Sequence, residues 1–153
     1  MTTGEVISIH YVRENGGPAT SVLTIEVRQN YGFPEDYRSG PWKKRQITVI
    51  EEEALLDAAD QLGRSVPAGA SRRQIVIRGL DLNSLIGHTV RIGDVVLTVE
   101  RYCAPCQRMD EEIGPGGRDA LRWKAGVCCS VEVGGTLHVG DLVIPAQCID
   151  WLM

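Results

Sequence analysis

The sequence predicts a domain of mainly β or α+β class: an antiparallel-rich sheet, curled or closed into a barrel, with one main helix at about residues 51–62. Three observations predict it. Aromatic residues are 5% of the chain while apolar residues are 43%, so the core has to be aliphatic, and the abundant Val and Ile suit strands. Short segments with period-two alternation recur between turn residues. Two segments switch the parity of their apolar positions across a Gly-Asp pair, as the arms of a hairpin do when both face one core.

The elements follow in order. "EVISIHYV" and "SVLTIEVRQ" read as strands; in the second, Leu23, Ile25 and Val27 alternate with Thr24, Glu26 and Arg28 and share one face. "RQITVI" is a third, with Ile47 and Val49 inward. It runs into "EEEALLDAADQLG", where Leu55, Ala58, Ala59 and Leu62 have helical spacing, three glutamates sit at the positive end of the helix dipole, and Gly63 offers a C-cap. "RRQIVIRGLDL" is a strand with Ile75 and Ile77 on one face, and "NSLIG" a short helical turn. In "HTVRIGDVVLTV" a Gly93-Asp94 loop would set Ile92 opposite Val95 and Val90 opposite Leu97. In "GTLHVGDLVIPA" a Gly140-Asp141 loop would set Val139 opposite Leu142 and Leu137 opposite Ile144.

A chain of 153 residues is of single-domain size, and residues 1–153 are read as one domain able to bury a core without disulfides or a structural metal. A net charge of -4 and a pI near 5.4 argue against nucleic acid or an anionic membrane as partner, since both are held by clustered Lys and Arg. No basic leader precedes an apolar run, and nowhere do about 18 apolar residues follow one another. The expectation is a cytoplasmic protein whose five cysteines, at 103, 106, 128, 129 and 148, are thiols rather than structural disulfides.

The segment with chemistry in it is "VERYCAPCQRMDEEIGPGGRD". Pro105 cannot donate to a ladder, so Cys103 to Cys106 should lie where a strand breaks into a loop. Four readings are open. A zinc knuckle would use both thiolates but needs two more ligands, and adjacent Cys128 and Cys129 do not repeat the motif. A thioredoxin-like dithiol would need a helix directly after the motif, and "CAPCQRMDEEIGPGG" offers no clear apolar helical face. One cysteine could be a nucleophile or sulfur carrier, with Arg101 and Arg108 close enough in sequence to favour a thiolate. All five could instead be buried fillers, which suits Cys148 and Cys129 best. A second polar set joins Arg72 and Arg73, just ahead of a strand, with Asp36, Arg38, Lys43, Lys44 and Arg45 on a Gly/Pro-rich loop: either solvated charges or an anion cradle. His10 and His138 read as polar-face strand residues without a role.

The ordered set "GEVISIHY", "GFPEDYRSGPWKKRQITVIEEEAL", "SRRQIVIRGLDL", "GHTVRIGDVVLTVERYCAPCQRMD" and "GRDALRWKAGVCCSVEVGGTLHVGDLVI" resembles the MOSC domain, named for the C-terminal part of molybdenum cofactor sulfurases. The resemblance implies a β-barrel in which Cys106 is the reactive cysteine, carrying a persulfide sulfur or, in larger members, ligating molybdenum in a pterin cofactor. It implies that Arg72 and Arg73 line the pocket and that Asp36 matches the acidic residue of the family's Gly-x-x-Gly-Asp segment, here "GFPED" with Glu35 in place of glycine. The expected function is a sulfur carrier: Cys106 accepts sulfur from a cysteine desulfurase-like donor and passes it to an acceptor, Cys103 resolves the persulfide, and Arg72, Arg73 and Arg118 hold an anion. The alternative is a non-catalytic domain binding a metal or the molybdenum cofactor (molybdopterin). Pyridoxal phosphate is not expected in this chain.

Overall fold

Alternating aliphatic runs become strands where a neighbouring run satisfies their backbone groups, and ten do so in the computed structural model, which describes residues 3–145. They are β1 (Gly4–Val12), β2 (Ala19–Val22), β3 (Thr24–Val27), β4 (Ile47–Glu51), β5 (Ile75–Arg78), β6 (Thr89–Ile92), β7 (Val95–Tyr102), β8 (Val127–Val133), β9 (Gly135–His138) and β10 (Leu142–Pro145). Three helices accompany them: α1 (Glu52–Leu62), α2 (Gln107–Ile113) and α3 (Gly117–Ala120). The order β10-β6-β7-β8-β4-β5-β1 closes on itself because β10 also pairs with β1, giving a seven-stranded barrel with β2 attached to β1 and a separate β3-β9 ribbon. All pairings are antiparallel except β4–β5, which α1 connects.

The barrel interior is aliphatic, as the composition requires: Val6, Ile9, Ile47, Val49, Ile75, Ile77, Val90, Ile92, Leu97 and Val99 are buried in one cluster, joined by the buried Phe33 and flanked by the partly buried Tyr11. A second cluster lies outside the barrel wall, where Ile50 and Val76 meet Ala54, Leu55 and Ala58 of α1, Met109 and Ile113 of α2, and Ala120 and Leu121. The three helices therefore cover one outer face, and the loop between Tyr102 and Gln107 enters that cover from the end of β7.

The expected helix at 51–62 starts one residue later, at Glu52, and ends on Gly63 in the left-handed conformation with φ 68°. The first Gly-Asp hairpin has the expected register, with Ile92 opposite Val95 and Val90 opposite Leu97. The second does not form. The chain turns at Gly140-Asp141, but β9 pairs with β3 while β10 pairs with β6 and β1, so β10 already has partners on both edges. The run 21–29 is likewise broken at Leu23, which is 78% exposed rather than inward, because the chain changes there from the barrel sheet to the ribbon. Helices α2 and α3 stand where no helix was expected. His10 is buried, with Ser8 and Ser21 hydroxyls at 2.8 and 3.0 Å from its ring nitrogens, and burial lowers its pKa. Cys148 lies outside the described residues.

Candidate functional site

Strand β7 carries an irregularity between Val99 and Arg101, and such bulges re-aim the residues that follow. Past it, the Cys103 backbone N–H donates to Gly126 O at 2.8 Å, fixing the loop entry against the start of β8. Gly126 is required there: its φ is 93°, and a Cβ would lie 2.2 Å from Val49 O. The loop then runs through Ala104 and Pro105 to Cys106, whose carbonyl accepts the Met109 N–H at 3.0 Å and starts α2. The Cys106 thiol makes no capping bond and is exposed, whereas Cys103, Cys128 and Cys129 are buried.

The Cys106 side chain borders a cavity of about 190 Å³ lined also by Asn15, Tyr37, Arg38, Arg45, Arg72, Arg73 and Arg108. Each arginine arrives differently. Arg72 closes the 3-10 turn Ala68–Ser71 in the left-handed conformation with φ 63°, and its Nη1 donates to Gly17 O at 2.9 Å and Glu112 Oε1 at 3.3 Å. Arg73 is 2% exposed; its Nε donates to Ala125 O at 2.6 Å and its Nη2 to Ala104 O at 3.0 Å and Cys103 O at 3.3 Å. It thus ties the cysteine loop to the turn before β8. Arg38 donates from Nε and Nη2 to the two oxygens of Asp36 at 2.9 and 2.8 Å, and from Nη1 to Arg72 O at 2.8 Å. Arg45 and Arg108 complete the wall, and the buried Nε of Arg108 has no hydrogen-bond partner among the described residues.

Asp36 lies behind this wall rather than in it. Its side chain is fully buried, and burial alone would push its pKa up. The Arg38 guanidinium and the backbone N–H groups of Val12 and Arg38 outweigh burial and hold the carboxyl below its usual value. Its effect is to orient Arg38 in a fork. Arg118 is elsewhere: with Tyr102, Ala104, Pro105, Arg122 and Trp123 it lines a neighbouring recess that shares no residue with the Cys106 cavity.

Cys103 faces a different partner from the one its motif suggests. It extends β7, and Cys128 on β8 lies on the same face one diagonal step away. The neighbouring Cys128 thiol, together with Arg73, Arg45 and Arg101, outweighs burial and holds the Cys103 thiol below the ordinary cysteine range, while the Cys128 thiol is pushed up. Burial pushes Cys129 up as well. No sequence signal pairs Cys103 with Cys128, because the register of β7 on β8 depends on the bulge. Among the described residues no three His, Cys, Asp or Glu side chains converge as a metal site.

The MOSC domain model matches residues 16–144. The chain belongs to the MOSC domain family. No curated protein matches it. Among solved structures, the YuaD protein from Bacillus subtilis superposes with a TM-score of 0.80 at 17% identity, covering 94% of this chain and 97% of that one. YiiM from Geobacillus stearothermophilus gives 0.75 at 17% identity over 93% and 74% of the two chains, and YiiM from Escherichia coli 0.68 at 15% over 92% and 69%. At these identities the likeness is one of fold. Among the described residues no helix is long and apolar enough to cross a membrane.

The family's link to the molybdenum cofactor poses a question of fit. A soft thiolate at Cys106 suits molybdenum, and the guanidinium groups suit a phosphate. The space does not match: about 190 Å³ is below the range of roughly 300–1,000 Å³ usual for organic ligands, so a pterin with its metal and phosphate would not be enclosed.

Proposed function

We propose that this MOSC domain is a sulfur carrier acting through Cys106. The observation that supports it most is the exposed Cys106 thiol in a cavity walled by Arg38, Arg45, Arg72, Arg73 and Arg108. Buried charges need compensation, and no carboxylate lies within 4.0 Å of Arg73 among the described residues. A thiolate, or an anion brought by the substrate, supplies it.

In the loading step the Cys106 thiolate attacks the outer sulfur of a donor persulfide. A new sulfur–sulfur bond forms at Cys106, the donor's own sulfur–sulfur bond breaks, and the electron pair leaves on the donor thiolate. In unloading, an acceptor nucleophile takes that outer sulfur and Cys106 leaves as thiolate. Attack by the Cys103 thiolate on the inner sulfur would instead give a Cys103–Cys106 disulfide and release hydrosulfide. Arg72 and Arg73 hold the loop and an anionic partner, Arg38 is set by Asp36, and Arg118 contacts a ligand only if that ligand reaches the neighbouring recess. The donor would be a cysteine desulfurase-like protein, and a reducing cytoplasm would keep Cys106 free.

The test is intact mass after incubation with a cysteine desulfurase and cysteine. Wild type and Cys103→Ser gain one sulfur, labile to cyanide, and Cys106→Ser gains none. Sulfur on Cys106→Ser at the wild-type level sinks the proposal, as does stoichiometric molybdenum or zinc that is lost on Cys106→Ser, which would make the domain a metal or cofactor binder.

A further inference from the structure

The cysteine loop borders a second recess, of about 330 Å³, which shares no lining residue with the Cys106 cavity. Ala104 and Pro105 give it an apolar wall, and the Tyr102 and Trp123 rings, with centroids 5.5 Å apart and planes tilted by 30°, give it an aromatic one. Trp123 is 71% exposed and held at φ 65°, a conformation bulky residues rarely adopt. The Tyr102 hydroxyl is buried and has no hydrogen-bond partner among the described residues, although such groups are nearly always paired. At the mouth stand two arginines. The Arg118 backbone N–H donates to Asp110 Oδ1 at 2.9 Å, but its guanidinium makes no hydrogen bond or ion pair among the described residues. Arg122 meets Asp119 at 2.9 Å in an exposed pair that water and ligands readily exchange.

We propose that this recess is a binding site for a flat aromatic or heteroaromatic ring that carries a carboxylate or phosphate. The ring stacks on Trp123 against Tyr102 and the Ala104-Pro105 wall, and the anion meets Arg118 and then Arg122. Orientation is set from behind Trp123, where Glu51, Glu53, Asp57 and Asp81, with Lys124 paired to Asp57, line a mainly acidic hollow that also includes Trp123 and disfavours an anion on that side. An uncharged ring would leave Arg118 unused, and a bare anion would leave the exposed Trp123 ring unused. The site needs no sulfur on Cys106 and stands independently of the carrier reading.

Calorimetric titration of the full chain tests it with four probes: adenosine 5′-monophosphate, 1-naphthoate, adenosine and inorganic phosphate. At least one ring-bearing anion saturates the protein and binds about tenfold tighter than adenosine or phosphate alone, as expected when stacking and a charged contact add. Which of the two saturates distinguishes phosphate from carboxylate. Trp123→Gly, which relieves the backbone at φ 65°, weakens binding about tenfold, Arg118→Gln does so about fivefold, and Cys106→Ser and Arg45→Gln leave it unchanged. Circular dichroism confirms that each variant is folded, and the surface change Arg118→Gln stands on its own if Trp123→Gly is not. No saturation with either anion, adenosine binding as tightly as its monophosphate, or a loss that follows Arg45→Gln instead of Arg118→Gln overturns the proposal.

Discussion

Arg73 shows what a buried charge demands of its neighbours. Three carbonyl oxygens accept from its Nε and Nη2 but leave its charge, and the thiols of Cys103, Cys106 and Cys128 all lie within its field. Cys103 answers this demand most directly, because the neighbouring Cys128 thiol favours its thiolate as well. A thiol whose pKa is lowered on folding adds stability that is fully present above its unfolded value and is lost as pH falls through the lower folded one. Cys128→Ala removes that neighbour, so in a Cys106→Ser background the Cys103 thiolate absorbance at 240 nm should titrate about one unit or more higher than with Cys128 present. The denaturation midpoint of that variant should correspondingly vary less with pH below the ordinary thiol range. An unmoved titration would mean that the arginines alone hold Cys103 down. Of this arrangement the sequence exposes only the parts: Arg72, Arg73 and Cys106 can be picked from their neighbours, but the Cys103–Cys128 contact and the placing of Asp36 behind Arg38 arise from strand register and a loop fold that no spacing encodes.

At the scale of elements, α2 decides where Cys106 stands. It offers only Met109 and Ile113 as an apolar face, too little to read as a helix from seven residues, and it forms because α1, α3 and the turn Ala68–Ser71 supply the rest of a packed cluster. The fully buried Met109 is the central contact. Met109→Ala should therefore cost about 3 kcal/mol in urea unfolding. It should also change the native alkylation rate of Cys106 under conditions where the protein stays folded, since Cys106 is the residue that starts the helix. If the rate stays at the wild-type value, α2 holds Cys106 through its backbone alone. The missing second hairpin has a similar cause. Leu137 is buried as expected, but on β10 the inward residues are Val143 and Pro145 while Leu142 is 57% exposed, so the expected parity fails there together with the pairing: alternation states that a run faces a core, and the partners β6 and β1 decide which of its faces does. By contrast, α1 and the first hairpin were legible because caps, turn and register all lie within one short segment.

For the molecule as a whole, closure and chemistry lie on different arcs of the barrel. Val143 on β10, 1% exposed, is in register with Gly4 of β1 and with Ile92 of β6, so one residue joins both seams. The site hangs from β4, β5, β7 and β8, with Arg73 and Gly126 holding the cysteine loop against them. Removing two methyl groups from Val143 should weaken the closure without reaching the arginines. Val143→Ala is expected to lower stability by about 2 kcal/mol in urea unfolding. Amide exchange should then quicken in β1 and β6 more than in β4 and β8, while Cys106 alkylation in the native state stays at the wild-type rate. The contrast with Met109→Ala carries the argument, since both changes empty space in a packed cluster but only one cluster bears on the thiol. A Val143→Ala protein whose β4 and β8 amides quicken as much as those at the seam would show a barrel that opens as one unit. The arginine cavity would then owe its shape to closure on the opposite side.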